Sequence, residues 1–115
     1  MRPFGIAGLQ LELARADNCD RIVVEIAAVK ARLPWVDMIV IGELALFGAG
    51  VGNAQSLPGP AEAKMCEAAR AAGVWLVPGS LFESVGDRVY NTAPVIDPGG
   101  QVVARYRKIY PFQPY

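Results

Sequence analysis

The chain of 115 residues contains no histidine. A His-dependent catalytic triad is therefore impossible within it, and the usual zinc sites are not expected. Only two cysteines are present, Cys19 and Cys66, and they lie far apart without a C-x-x-C pair. Isolated cysteines of this kind are most often small buried hydrophobic residues.

Excess charge is also missing, since 11 basic residues balance 11 acidic ones. A nucleic-acid interface normally needs a basic stripe, so no nucleic-acid partner is expected. No apolar run is long enough to span a bilayer, and Glu43 interrupts the best candidate. The start, "MRPFGIAGLQLELARA", has the outline of a signal peptide, but Gln10 and Glu12 interrupt its apolar part, which favours a first β-strand. We expect a cytoplasmic protein with no membrane partner.

Apolar residues, in contrast, are abundant: they make up 53% of the chain, and its mean hydropathy is +0.29. A free-standing domain of this length exposes much of its chain to water, so the composition needs an explanation. The chain is either a core element cut from something larger, or it has an apolar face that a partner covers.

Hydrophobic periodicity predicts alternating strands and helices. Strands are expected at residues 4–11, 37–41 and 74–77. One helix is expected after Asn18 and before Pro34, and another from Pro60 to Gly73. Proline is a preferred first residue of a helix, and glycine is a preferred residue at its C-terminal end. Residues 88–97 and 101–110 flank "PGG" and predict an antiparallel hairpin. This order predicts an α/β layered fold with a mixed sheet.

The glycine-rich stretch "GAGVGN" follows a predicted strand and is similar to the dinucleotide fingerprint G-x-G-x-x-G. Gly48 and Gly50 fit, but Asn53 takes the third glycine position, and a loop separates the motif from the helix at Pro60. The fingerprint requires a direct strand-to-helix passage, so a dinucleotide site is not favoured.

Neither cysteine has the surroundings of a nucleophile. Cys66 lies in the middle of a predicted helix beside Met65, where packing is the expected role. Cys19 lies in the first turn of a helix, whose dipole lowers a thiol pKa, but Asp17 and Asp20 act in the opposite direction.

Glu43 is the one charged residue inside the apolar stretch "MIVIGELALFG". It follows a buried strand at its C-terminal end, the edge where open α/β sheets bind ligands. If it faces inward, it must be paired, hydrogen-bonded or neutral, because an unpaired buried carboxylate is too costly. The alternative is that the strand has ended and Glu43 points into solvent. Position alone leaves both open.

Lys108 presents the same choice. Strand alternation in "ARYRKIYPF" places Arg105 and Arg107 on one face, where we interpret them as a solvated edge or as surface pairs. The opposite face carries Tyr106, Lys108 and Tyr110. A lysine between two tyrosines is less readily explained as solvated, but spacing does not decide its role.

Taken together and in this order, these segments resemble the nitrilase superfamily of carbon–nitrogen hydrolases. "FGIAGLQLEL" is similar to the first strand of that family, and "VDMIVIGELALFG" to the segment with its catalytic glutamate. "VWLVPGSLFE" is similar to its strand ending in Gly-Ser. "VYNTAPVIDPGGQVVARYRKIYPF" is similar to the hairpin that leads to its catalytic lysine, and this is the most specific of the four matches.

The resemblance implies roles for two residues of this chain. Glu43 would be the general base, and Lys108 would stabilise the oxyanion of a hydrolase acting on non-peptide carbon–nitrogen bonds in a small amide or nitrile. The nucleophile of the family is a cysteine in a later strand, so this chain would contain none. A second glutamate is expected shortly after "FQPY". No metal or organic cofactor is implied, and homo-oligomers are expected.

The family fold is a four-layer α-β-β-α sandwich with mixed sheets, and residues 1–115 would form only the N-terminal portion of such a domain. The chain alone is therefore expected to be inactive. The alternative is a non-catalytic fragment or interaction module that associates through an exposed apolar face.

Overall fold

The computed structural model of the chain describes residues 2–112 and shows an α/β architecture. The elements in chain order are β1 (Gly5–Leu9), α1 (Cys19–Arg32), β2 (Val36–Ile41), a 3₁₀ turn (Val51–Asn53), α2 (Pro60–Ala72), β3 (Trp75–Val77), β4 (Leu81–Val85), β5 (Arg88–Ile96) and β6 (Val102–Arg107). The end of "YPFQPY", residues 113–115, lies outside the described residues.

The six strands form one mixed sheet, as the sequence predicts. Strands β1, β2 and β3 are parallel neighbours. Strand β5 runs antiparallel to β3 through the pair Leu76 and Ile96, and it also pairs antiparallel with both β4 and β6. The mixed character arises because helices connect the first three strands, whereas tight turns connect the last three.

Strand β4 is missing from the sequence-based prediction. Gly86 and Asp87 form a two-residue turn, with Gly86 at a φ of +59°, and join β4 to β5 as a hairpin. Glycine is favoured at such a position because the short hairpin turns that match strand twist need a positive φ. The dipeptide Gly-Asp between two runs of strand-forming residues was the signal for this hairpin.

The helix boundaries agree with the predicted signals. Pro60 is the first residue of α2, and Gly73 ends it in the left-handed conformation. Asn18 occupies the N-cap position of α1, but its side chain makes no capping bond there. It instead donates to the carbonyls of Ala14 and Ala45, at 2.8 and 3.0 Å, and so ties the chain after β1 to the chain after β2.

The glycine-rich stretch after β2 does not open into a helix. It passes through the 3₁₀ turn, and α2 begins only at Pro60. The direct strand-to-helix passage that a dinucleotide loop needs is therefore absent from this segment.

Both helices cover the same face of the sheet. Ile22 and Ile26 of α1 and Met65 of α2 pack with Ile39 and Leu76 of the sheet in one buried core. Among the described residues, no helix is both long enough and apolar enough to cross a membrane.

The opposite face of the sheet is apolar and does not belong to this core. Strand register and alternation place on it Ile6, Met38, Val40, Trp75, Val77, Ala93 and Tyr106. Ile6 and Tyr106 are each more than half exposed. The described residues therefore form two layers, with helices on one side of the sheet and an open apolar surface on the other.

Candidate active site

A tight turn at the C-terminal end of β2 positions Glu43. Leu44, the next residue, has a φ of +57°, a left-handed conformation that is unfavourable for leucine. The buried hydroxyl of Ser80 accepts a hydrogen bond from the Leu44 N–H at 2.8 Å and holds this turn. Gly79 lies so close that a Cβ there would be 2.1 Å from the carbonyl oxygen of Gly42. The Gly-Ser pair after β3 thus shapes the turn that carries Glu43.

Lys108 immediately follows β6, 65 residues further along the chain. Its backbone N–H donates to the carbonyl oxygen of Asn91 in β5 at 2.9 Å, which extends the β5–β6 pairing to this residue. Its Nζ lies 2.6 Å from Oε2 of Glu43 and donates a hydrogen bond to it. The structure therefore brings together the two residues that the sequence singled out.

Arg105 and Arg107 are exposed and ion-paired, as the prediction of a solvated edge or of surface pairs allowed, but the carboxylates that they pair with are buried. Arg105 binds the buried carboxylate of Glu62 with two hydrogen bonds, at 2.6 and 2.8 Å. Arg107 binds the buried carboxylate of Glu83 at 2.9 and 3.1 Å, and Thr92 also donates to Glu83, at 2.8 Å. These paired contacts fix β6 against α2 and β4, directly before Lys108.

The Arg107 guanidinium, which donates hydrogen bonds to Glu83, lowers the pKa of this carboxyl below its usual value. The group therefore adds stability above its unfolded-state pKa of about 4.3, and this stability is lost as the pH falls through the lower folded-state value. Near neutral pH the anchor of β6 is intact.

Asn91 is a site residue that the sequence analysis did not identify as one. It is 8% exposed, and its Nδ2 donates a hydrogen bond to Oε2 of Glu43 at 2.8 Å. It lies in the quoted segment "VYNTAPVIDPGGQVVARYRKIYPF", which the sequence analysis compared with the family only as a whole. Strand alternation places Asn91 on the same face of the sheet as Lys108. Alternation alone does not show that the Glu43 carboxylate lies against this face.

A cavity of about 330 Å³ opens beside the pair on the uncovered side of the sheet. Its polar wall contains Glu43, Ser80, Asn91 and Lys108, and its apolar wall contains Ile41, Val77, Ala93 and Tyr106. A second cavity of about 340 Å³ lies on the other side of Glu43, along the chain after β1. A small apolar cavity with a few converging polar groups is the usual form of a small-molecule site.

Both cysteines lie away from this cavity. Cys19 is buried, and the loss of water together with its contact to Asp17 raises the pKa of its thiol to about 12. Burial, followed by the charge of Glu62, also raises the pKa of Cys66. Since the thiolate is the reactive form, neither cysteine is suited to nucleophilic attack near neutral pH.

The arrangement places a carboxylate directly beside an ammonium group. The Glu43 side chain is 45% exposed and that of Lys108 is 33% exposed, so both are accessible from the cavity. A carboxylate can accept a proton from an attacking group, and an adjacent ammonium can stabilise a negative oxygen. No group of three or more potential metal ligands occurs in residues 2–112.

Comparison with known proteins decides the family. The family model described as carbon–nitrogen hydrolase matches residues 5–115. The chain belongs to the carbon–nitrogen hydrolase family. The resemblance to the nitrilase superfamily, which the four quoted segments indicated, is thereby confirmed.

Individual relatives agree with this assignment. The zebrafish (Danio rerio) omega-amidase NIT2 is 32% identical over 121 residues, which cover 97% of this chain and 42% of that protein. Nit3 of Saccharomyces cerevisiae, a nitrilase-superfamily member, shares the fold with a TM-score of 0.82 at 18% identity over 93% of this chain and 44% of its own. An amidase from Nesterenkonia sp. shares it with a TM-score of 0.82 at 24% identity over 96% of this chain and 44% of its own.

These matches also show how much of each relative the chain covers. It spans less than half the length of the curated relative and of the two solved structures. The mixed α/β fold of the chain is therefore shared with one part of the nitrilase-superfamily structures.

Proposed function

We propose that this chain is the N-terminal portion of a carbon–nitrogen hydrolase domain, and that it supplies the general base and the oxyanion-stabilising cation. The observation that carries the proposal is the 2.6 Å contact between Lys108 Nζ and Glu43 Oε2 at the wall of an open cavity. The nucleophilic cysteine would come from the remaining half. We use "complete domain" for the chain together with that half, whether it is encoded in the same gene or supplied as a second polypeptide.

The chemistry would run through a covalent intermediate. Glu43 takes the proton of the cysteine thiol as the sulfur attacks the carbonyl carbon of a small amide. The carbonyl oxygen becomes negative and is stabilised by the Lys108 ammonium. As the tetrahedral intermediate collapses, the C–N bond breaks and the amine leaves with the proton held by Glu43, so a thioester remains.

Hydrolysis of the thioester would use the same two groups. Glu43 removes a proton from a water molecule that attacks the thioester carbon, and Lys108 again stabilises the oxyanion. Collapse of this second intermediate breaks the C–S bond and returns the proton to the sulfur. The product is a carboxylic acid, and the site regains its starting state. A nitrile would be attacked at its C≡N carbon and give a thioimidate, whose nitrogen takes the thiol proton. One water molecule would then add to the thioimidate and ammonia would leave, so that the same thioester remains.

The open apolar face of the sheet supports the division of the domain into two parts. Burial of apolar area is stabilising by about 25 cal/mol per Å², so an exposed face of this kind favours a covering layer. In the complete domain the second sheet of a four-layer sandwich would cover it. We propose that the complete domain acts on a small amide or nitrile and forms homo-oligomers.

The proposal predicts that hydrolysis needs both halves. The 115-residue chain should release no ammonia from propionamide, whereas the complete domain should release it catalytically, because only the latter has a reactive thiol. Ammonia release measured on equal concentrations of the two proteins tests this. Ammonia release by the 115-residue chain that Glu43→Gln abolishes would overturn the proposal.

The open face also supports a second candidate function, a non-catalytic module that associates through this surface. Ile6 and Tyr106, 59% and 57% exposed, are the observation that favours it. Size-exclusion chromatography with light scattering separates the two. An obligate interaction module is expected to elute as an oligomer or a complex, and a stable monomer of the 115-residue chain argues against it.

A further inference from the structure

Both hydrogen bonds to the Glu43 carboxylate reach the same oxygen. Lys108 Nζ donates to Oε2 at 2.6 Å, and Asn91 Nδ2 donates to Oε2 at 2.8 Å. The other oxygen, Oε1, accepts no hydrogen bond from the residues that the structure describes. The two oxygens of one carboxylate therefore have different surroundings: one is held by two donors, and the other has no donor within residues 2–112.

We propose that Asn91 is a positioning residue that fixes the Glu43 carboxylate so that Oε1 is the oxygen that accepts the proton. This inference rests on the proposed function, because it assigns the orientation of the proposed base. A lone lysine contact leaves a carboxylate free to rotate and to present either oxygen. A second donor from a different direction removes this freedom.

Asn91 is suited to this role because it is held firmly and has no charge. It is 8% exposed and lies in β5, where it pairs with Phe82 of β4. The next residue, Thr92, pairs with Arg107 of β6. Its backbone carbonyl accepts the N–H of Lys108 at 2.9 Å. One residue thus orients the base through its side chain and the cation through its main chain. A neutral amide does so without adding a charge that competes with Lys108.

Geometric control of this kind has a large kinetic effect. A displacement of about 1 Å in a reacting group can reduce turnover on the order of 100-fold. Asn91→Leu removes the donor, adds no charge and keeps a side chain of similar size. In the complete domain it should lower kcat for amide hydrolysis by about 100-fold with KM little changed, since the Asn91 amide donates to Glu43 Oε2 and so acts through the base.

A conservative variant separates this role from mere packing. Asn91→Gln keeps an amide donor, and the adjoining cavity has room for one more methylene. It should recover part of the kcat that Asn91→Leu loses. Asn53→Leu is the matched control, since Asn53 lies in the 3₁₀ turn and its side chain donates one long hydrogen bond within residues 2–112, to the Phe47 carbonyl at 3.4 Å. This control should leave kcat unchanged.

A spectroscopic readout on the 115-residue chain does not depend on hydrolysis. The chain has only three lysines, so ¹⁵N-lysine labelling gives three side-chain ammonium signals. In the unsubstituted chain the Lys108 protons should exchange slowly with water because of the bond to Oε2. Asn91→Leu should accelerate that exchange and leave Lys30 and Lys64 unchanged.

The outcomes are distinct. Unchanged kcat and unchanged Lys108 exchange in Asn91→Leu would overturn the inference. The inference would also be overturned if Asn91→Leu lowered kcat, Asn91→Gln did not restore it, and Lys108 exchange were unchanged in Asn91→Leu. This combination would indicate that Asn91 acts through packing alone. If the Lys108 signal responds as expected but the complete domain hydrolyses no amide, the proposed function fails and the orientation of Glu43 by Asn91 stands. Should Asn91→Leu not fold, Asn91→Asp keeps the shape without a donor when ionised, and wild-type kcat in that variant would again overturn the inference.

Discussion

Glu43→Gln in the complete domain should lower kcat for amide hydrolysis by about 10²- to 10⁴-fold, the range that a positioned general base contributes. Glutamine keeps the shape of the side chain and still offers an oxygen to the Lys108 and Asn91 donors. What it removes is the ability to take a proton from the thiol and later from water. Steady-state ammonia release measures the effect.

The loss should occur without unfolding. The Glu43 side chain is 45% exposed, and ion pairs at exposed positions contribute about 0–1 kcal/mol to stability. Urea unfolding of Glu43→Gln should therefore be close to that of the unsubstituted domain. Glu12→Gln, the same chemical change at an exposed position, is the control and should leave kcat unchanged. Full activity in Glu43→Gln would exclude Glu43 as the base.

Lys108→Met should lower kcat by about 10²- to 10³-fold, the effect of removing one oxyanion-stabilising donor. Methionine has a similar length and apolar stem but no charge, so the negative oxygen of both tetrahedral intermediates loses its cation. The substrate in its ground state carries no such charge, and KM should change much less than kcat. Stopped or continuous ammonia assays over a range of propionamide concentrations give both constants.

Lys64→Met is the matched control for this change. Lys64 pairs with Asp20 through exposed side chains on the two helices and has no contact with the cavity. Its loss should leave kcat and KM unchanged. If Lys108→Met lowered kcat no more than Lys64→Met does, the assignment of Lys108 as the oxyanion-stabilising cation would be contradicted.

The elements that the sequence predicted well are those with strong local signals. Pro60 and Gly73 bound α2 because proline fits the first turn of a helix and glycine tolerates the left-handed ending. The apolar runs of β2 and β3 are strands because both lie inside the sheet. Strand β4 was missed, since its signal is a Gly-Asp turn between runs that also fit a loop.

The site itself was only partly accessible from the sequence. Hydrophobic periodicity did not decide whether the Glu43 and Lys108 side chains are paired or exposed to solvent. Their contact depends on how β5 and β6 lie relative to β2, which no local pattern shows. Family resemblance singled out both residues, and the structure shows their contact at 2.6 Å. Their catalytic roles stay predictions.

Tertiary partners explain what the sequence could not show. Arg105 and Arg107 have the alternation of a solvated edge, yet each meets a buried carboxylate, Glu62 or Glu83, from a distant element. Asn91 is an ordinary polar strand residue until Glu43, 48 positions away, is placed beside it. Long-range pairing of this kind leaves no local pattern in the chain.

The central claim is that this chain holds the base and the cation but not the nucleophile. Acid-quenched reactions of the complete domain with propionamide, digested and analysed by mass spectrometry, test it most directly. The account predicts an acyl group on a cysteine outside residues 1–115, with Cys19 and Cys66 unmodified. Acylation of Cys19 or Cys66 would contradict it.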